Sequence, residues 1–330
     1  MEVTTQALRY HSFGSPQKVL QLESFSLPLL RENQVQLDIE AAAINPSDYG
    51  RIAGSYGHLA ELPAVAGREG VGRVVRIGSA VKYFSLGDRV RLPSEIGSWQ
   101  TCCIVEAADL MKVPKTLPVD QAAMAFINPS TAWLLLQNIV PLEKGDWIVQ
   151  NGANSALGLL IIQLAHKRGL HTLNIVRRKE LIPELEAYGA DKVVTEDDAY
   201  WEEDNAIIDG KRPRLAINSI GGKSAVNLIK CLADEGVHVT VGGMARESVY
   251  FPTRHLIFRG IQLRGFWLDV WMRRAKRDAI NEVFSSVFEL MLAGWKVPVA
   301  QVYSLSDWEQ ALDHALRPRL GKVLFHPQSS

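Results

Sequence analysis

Residues 146–169 read DWIVQNGANSALGLLIIQLAHKRG. The run DWIVQNG has the apolar, β-branched character of a buried strand, and from Ser155 the apolar residues recur at helical spacing until Gly169 stops the pattern. A strand that passes straight into a helix is half of a βαβ unit, and the chain beyond it repeats the alternation. TLNIV (172–176) reads as a strand, ELIPELEAYGA (180–190) as a helix ending at Gly189, and RLAINSI (214–220) as a strand. KSAVNLIKCLADEG (223–236) reads as a helix, and VHVTVGG (237–243) and IQLRGFWL (261–268) as strands. Strands separated by helices at this spacing predict an α/β fold with a doubly wound parallel sheet covered on both faces.

Upstream the rhythm differs. VQLDIE (35–40) alternates, VGRVVRIG (71–78) is a second apolar run, and turn signals recur in SLGDRV (85–90) and EIGSW (95–99), which predicts an antiparallel barrel. After Asp269 a long helix is expected as far as about Ala293, then strand, helix and a last strand in GKVLFHP (321–327). The charged stretch EDDAYWEEDNAIIDGKRPR (196–214) reads as a solvated surface loop.

Composition limits the partners. Lys plus Arg and Asp plus Glu both total 36, so no net field draws in nucleic acid or an anionic membrane. No apolar run reaches the ~18 residues of a membrane span. The start, MEVTTQALRY, lacks the patterns of a signal or transit peptide, so a cytoplasmic location is expected, with a processed mitochondrial form compatible. Cys102, Cys103 and Cys231 have no zinc-knuckle or disulfide spacing, and the adjacent pair reads as small buried filler in a reducing compartment.

In a doubly wound sheet a nucleotide diphosphate belongs where the first strand meets its helix, because the helix N-terminal amides and dipole stabilise negative charge. That junction is NGANSALG (151–158): Gly152 and Gly158 are present, but Ala156 stands where a middle glycine is usual. Taken alone it is equally a tight turn with no ligand. The next strand is more informative. NAD-binding chains end it with Asp or Glu, which holds the ribose hydroxyls; here IVRRKE places Arg177, Arg178 and Lys179 there. Guanidinium and ammonium groups clamp a 2′-phosphate that a carboxylate repels. At ~1.5–3 kcal/mol per charged hydrogen bond, two of them favour NADPH over NADH by ~10² or more. An exposed basic turn is the structural alternative, but basic residues just before a helix oppose its dipole.

A barrel followed by a nucleotide half resembles the medium-chain dehydrogenases/reductases over nearly the whole chain, which implies a GroES-like catalytic domain from 1–125 and 270–330 and a Rossmann cofactor domain from 126–269. GREGVGRVVRIGS (67–79) is similar to their GHE segment. In the zinc enzymes of that family the histidine of this segment and an upstream cysteine are metal ligands; here Arg68 and Asn45 stand in those places, and neither suits catalytic zinc. No metal is expected. The turn is read as a barrel corner whose glycines permit tight packing, with Arg68 and Glu69 paired.

INPSDYGRIAGSYGHLAELPAVAGREG (44–70), GSW (97–99), INPSTAW (127–133), VGGM (241–244) and RGFWL (264–268) resemble one zinc-free branch, the 2-enoyl thioester reductases of mitochondrial fatty-acid synthesis type. The resemblance implies an oxidoreductase acting on CH–CH bonds, with Tyr56 catalytic. It implies NADPH contacts at Asn128, at Asn154, Ser155, Ala156 and Leu157, and at Arg177 and Lys179, between which the basic turn itself adds Arg178 as a candidate. Further implied contacts are Gly242, Gly243 and Met244, Phe266 and Trp267, and Lys322. Val241 and Arg178 depart from the tyrosine and aspartate often found in the branch. The implied substrate is an enoyl-CoA or enoyl-acyl carrier protein, and Tyr56 would donate to the oxygen on which enolate charge develops. Tyr56 also admits a plain packing role in its glycine-rich loop.

The basic run WMRRAKRD (271–278) reads as the wet face of a helix, with CoA phosphates or an acidic carrier as the other option. Trp267 and Trp271, four apart, share a helical face or line an acyl pocket. The apolar HLIFRGIQLRG (255–265) at a sheet edge, by the family's habit, implies a homodimer. Two rivals remain open: a zinc-free NADPH:quinone oxidoreductase, and a catalytically silent NADPH-binding protein.

Overall fold

The alternating stretch around VQLDIE becomes a ten-residue strand, Gln34–Ala43, on which three others pair. The computed structural model describes residues 3–197, 208 and 211–329. It divides into two units, Met1–Ile127 with Phe288–Ser330, and Asn128–Val287.

The first unit starts with β1 (Thr4–Tyr10), β2 (Gln21–Ser26), β3 (Gln34–Ala43), β4 (Ala64–Val65), β5 (Glu69–Ile77), β6 (Arg89–Arg91), β7 (Cys102–Glu106) and β8 (Met111–Lys112). The second contributes β9 (Trp147–Asn151), β10 (His171–Val176), β11 (Lys192–Thr195), β12 (Leu215–Asn218), β13 (Val237–Thr240) and β14 (Gln262–Gly265). The chain closes with β15 (Val299–Tyr303) and β16 (Lys322–Phe325) in the first unit.

In the first unit β2-β1-β4 form a small antiparallel sheet, and the larger sheet runs β15-β16-β3-β5-β6-β8 with β7 also on β3. Apart from the parallel pair β15–β16, its strands run antiparallel. Trp99 and Phe325 meet edge to face at 5.3 Å in a core shared with Leu8, Tyr10, Ile44 and Ile52. Cys102 and Cys103 are both buried in β7; burial pushes the Cys103 thiol up.

GREGVG turns only over its first two residues, Gly67 and Arg68. Gly67 has φ +86°, and a Cβ there would meet Trp99 at 2.3 Å. From Glu69 the segment is strand β5. A Cβ on Gly70 would come within 2.9 Å of the Ala41 carbonyl oxygen, and one on Gly72 within 2.9 Å of that of Asp38. These two glycines let β5 lie against the irregular register of β3 between Ile39 and Ala41.

The second unit is a six-stranded parallel sheet in the order β11-β10-β9-β12-β13-β14. Helix Ala156–Lys167 follows β9 and buries Leu159, Leu160, Ile161, Ile162 and Leu164. Each such side chain contributes roughly 1.5–3 kcal/mol. Strand β11 is an addition to the sequence reading: KVVT has only two apolar residues, and pairing with β10 makes it a strand. The expected long helix after Asp269 is two, Leu268–Arg274 and Arg277–Leu292, separated by an extended Ala275. Arg273 and Arg274 suit a helix C-terminus and Asp278 a helix first turn, so the charges favour a break there. Arg273, Arg274, Lys276 and Arg277 are exposed, the wet face expected of them. Most of the charged stretch 196–214 lies outside the described residues.

Candidate active site

The second unit collects the cofactor candidates other than Lys322 at one edge of its sheet, because parallel strands end together. β9 ends at Asn151, and Gly152 turns with φ +60°. Ser155 caps helix Ala156–Lys167, its hydroxyl accepting from the Gly158 N–H at 3.1 Å. A Cβ on Gly158 would stand 2.4 Å from the Ala153 carbonyl oxygen, so only glycine lets the helix start this close to the turn. Asn154, Ser155, Ala156 and Leu157 remain partly exposed at the mouth of a twelve-residue helix, a setting suited to an anionic diphosphate.

Around that turn stand the other strand ends. A Cβ on Gly152 would come to 3.3 Å from Met244 and 3.2 Å from Ile220, which places the loop after β13 beside it. The Met244 N–H donates to the Ser219 carbonyl at 3.2 Å, and Gly243 has open space where a side chain would be. Gly242 is held close, its virtual Cβ 3.1 Å from the Ser219 oxygen. The Phe266 N–H donates to Thr240 at 2.9 Å, bringing Phe266 and Trp267 to the end of β14; Arg273 lies 5.3 Å from the Trp267 ring centre. Trp267 is the N-cap of its helix and Trp271 lies within it. After β10, Arg177 and Lys179 are exposed, whereas Arg178 is half-buried and pairs with Glu180 at 3.5 Å. Asn128 opens the helix Asn128–Asn138. These groups fit a phosphorylated dinucleotide.

Two buried amides that the sequence reading passed over fix the edge. Asn151 donates to Asn218 at 2.9 Å and to Ser224 at 3.0 Å, and accepts from the Ser219 N–H at 2.7 Å. Asn218 in turn accepts from the Ile220 and Gly221 N–H groups. An asparagine closing each of two strands, β9 and β12, was the available signal.

The first unit holds Tyr56, just beyond helix Pro46–Ile52 and the left-handed Gly54. Its hydroxyl accepts from Arg68 Nη1 at 3.0 Å, and the guanidinium lies 4.8 Å from the ring centre. Glu69 does not turn to Arg68 as expected. Its carboxylate accepts from the Asn45 amide at 2.9 Å and from the backbone N–H groups of Phe126 at 3.0 Å and Ile127 at 2.7 Å. Tethering to three donors on two segments leaves the carboxylate no reason to reach its sequence neighbour.

Lys322 lies in β16, only 4% exposed, and donates to the Ile44 carbonyl at 2.7 Å and to Asn45 Oδ1. Asp48 accepts from the Asn45 N–H at 2.6 Å. Burial pushes Asp48 up to about 6, against the pull of the Asn45 hydrogen bond, Arg68 and Lys322. Burial likewise pushes Lys322 down to about 8, with Glu69 and Asp48 opposing. The two cations and two carboxylates at Arg68, Lys322, Asp48 and Glu69 offset each other in charge.

Two family patterns match. That described as the alcohol dehydrogenase GroES-like domain covers residues 31–115, and that described as zinc-binding dehydrogenase covers 156–286. The enoyl-[acyl-carrier-protein] reductase, mitochondrial, of Rattus norvegicus is 39% identical over 321 residues, 95% of this chain and 86% of the relative. The chain belongs to the enoyl thioester reductase branch of the medium-chain dehydrogenases/reductases. Among solved structures, this medium-chain reductase is similar to a putative NADPH:quinone reductase from Bacillus thuringiensis, with TM-score 0.90, 28% identity and 98% and 99% of the two chains covered. It is also similar to a mutant of Etr1p in complex with NADP and crotonyl-CoA, with TM-score 0.89, 25% identity and coverage of 99% and 100%.

The zinc of the family description does not fit this reductase. Asn45 is committed to Glu69 and Lys322, Arg68 offers only donors, and the buried Lys322 ammonium beside them repels a dication.

Proposed function

We propose that this reductase saturates the trans-2 double bond of enoyl thioesters, carried on coenzyme A or an acyl carrier protein, with NADPH. The 39% identity to the rat enoyl-[acyl-carrier-protein] reductase carries the reading. NADPH, when bound, supplies the hydride taken up at the substrate β-carbon. The start of helix Ala156–Lys167, with Asn154 to Leu157, binds its diphosphate. Arg177 and Lys179 hold the 2′-phosphate, with Arg178 partly diverted to Glu180. Asn128, Gly242 to Met244, Phe266, Trp267 and Lys322 are the remaining proposed contacts.

Tyr56 is the proposed catalytic residue. As charge collects on the thioester oxygen, its hydroxyl, which carries one proton to donate, gives a hydrogen bond there. The proton that ends on the α-carbon comes from Tyr56 or from water.

The likeness to the Bacillus quinone reductase favours a second reading, NADPH:quinone oxidoreductase. Following NADPH oxidation with crotonyl-CoA and with a small quinone separates them. Turnover of the quinone with crotonyl-CoA untouched sinks the proposal, and NADPH binding with neither reaction marks a silent binding protein. A homodimer is part of the proposal: β14 is an edge strand, and Ile257 and Phe258 in helix Thr253–Phe258 are 70% and 82% exposed. Light scattering checks it. The proposed compartment is the cytoplasm or, as the rat relative's name has it, the mitochondrion, which cell fractionation decides.

A further inference from the structure

A phenol has one proton to give and lone pairs to offer, whereas a guanidinium has five protons and accepts nothing. The 3.0 Å bond between Arg68 and Tyr56 therefore has one polarity: Arg68 donates and the phenol oxygen accepts, so this bond does not consume the phenol proton. Arg68 is 6% exposed, and its guanidinium lies 4.8 Å from the ring centre, which restricts swinging of the ring as well as the hydroxyl. Its backbone is anchored on both sides. Gly67 is fixed in the left-handed region with its carbonyl accepting from the Ser98 N–H at 3.2 Å, and Glu69 begins β5 with its carboxylate tethered to three donors.

We propose that Arg68 is a positioning residue for Tyr56: by occupying a lone pair of the phenol oxygen it aims the O–H at the substrate oxygen and supports negative charge on the phenol as that proton is drawn away. The proposal rests on the reading of Tyr56 as the donor to an enoyl thioester. A guanidinium stays protonated at any working pH, so the polarity of the bond does not change with conditions. Lysine at 68 would keep the charge but lose the planar fork, and methionine would lose both.

The test is a double-mutant cycle of Tyr56→Phe and Arg68→Met, with Arg68→Lys as the conservative variant, in steady-state reduction of crotonyl-CoA by NADPH. Arg68→Met is expected to lower kcat by ~10- to 10²-fold with little change in the KM for NADPH, and Arg68→Lys to recover part of the loss, as for one charge-assisted hydrogen bond. In the Tyr56→Phe background, Arg68→Met is expected to cost under about 3-fold, because its target is gone. Losses that multiply, or an unchanged kcat in Arg68→Met, overturn the proposal. A second arm needs no turnover. In protein carrying [ζ-13C]tyrosine, the Tyr56 signal, identified by its loss in Tyr56→Phe, is expected to move in Arg68→Lys; a signal that stays in place overturns the proposal even if Arg68→Met does not fold. Should wild type leave crotonyl-CoA untouched, the enoyl reading fails on its own, and the spectroscopic arm still decides whether Arg68 governs Tyr56.

Discussion

The side-chain amide of Asn45 donates to Glu69 over 2.9 Å, while its oxygen accepts the ammonium of Lys322. One neutral side chain thus joins a buried anion to a buried cation. Asn45→Ala leaves both charges short of a bond without changing the net charge. The expected loss is about 2–4 kcal/mol, since an under-satisfied buried charge costs more than an ordinary hydrogen bond. Urea denaturation measures it, and a loss below about 0.5 kcal/mol would show that the cluster tolerates the gap.

Tyr56→Phe removes the hydroxyl and keeps the ring over which Arg68 lies. Turnover of crotonyl-CoA is expected to fall by ~10² to 10⁴, the range for a positioned acid or donor, with NADPH binding almost unchanged. Steady-state rates and a fluorescence titration of NADPH separate the two quantities. A mutant as fast as wild type removes Tyr56 from the mechanism.

Replacing Arg177 and Lys179 together by alanine removes the exposed cations after β10 while leaving the Arg178–Glu180 pair. The KM for NADPH is expected to rise by ~10²-fold and that for NADH to stay within a few-fold, because only the former carries the 2′-phosphate. Equal losses with both cofactors would assign the phosphate elsewhere.

Two buried groups pull the pH dependence of stability in opposite directions. His238 is fully buried in β13, and burial, only partly opposed by nearby backbone groups, lowers its pKa to about 4. The unfolded chain binds this proton more readily, so stability is lost as pH falls from ~6.5 to ~4. Asp48, raised to about 6 chiefly by burial, keeps a proton that the unfolded chain releases, so its contribution declines as pH rises from ~4 to ~6. His238→Leu is expected to remove an acid-side loss of about 3 kcal/mol at most. Asp48→Asn, which retains an acceptor for the Asn45 N–H, is expected to remove the opposite slope. Denaturation midpoints between pH 4 and 7 give both signs, and parallel slopes in the two variants contradict the assignment.

The periodicity of 146–268 was enough to define five of the six strands of the parallel sheet, because each buried strand and amphipathic helix carries its own pattern within about fifteen residues. The basic end of β10 was legible for the same reason: the residues proposed to meet the 2′-phosphate are neighbours in the chain. Where the reading erred, the deciding forces were not local. KVVT becomes a strand through its pairing with β10, and Gly70 belongs inside a strand and not at a corner because the backbone of β3 passes within reach.

By itself, then, the sequence determined the fold class, the missing zinc ligands at Asn45 and Arg68, and the candidate residues of the nucleotide edge. Only the tertiary structure decided what those residues do with one another: that Glu69 turns to Asn45 and to the backbone at 126 and 127, that Lys322 joins the same cluster from 277 residues away, and that Arg68 meets Tyr56. Hydrogen bonds between charged groups far apart in the chain leave no periodic trace. They are chosen by the folded geometry, where burial makes an unmet charge costly and so selects the partner.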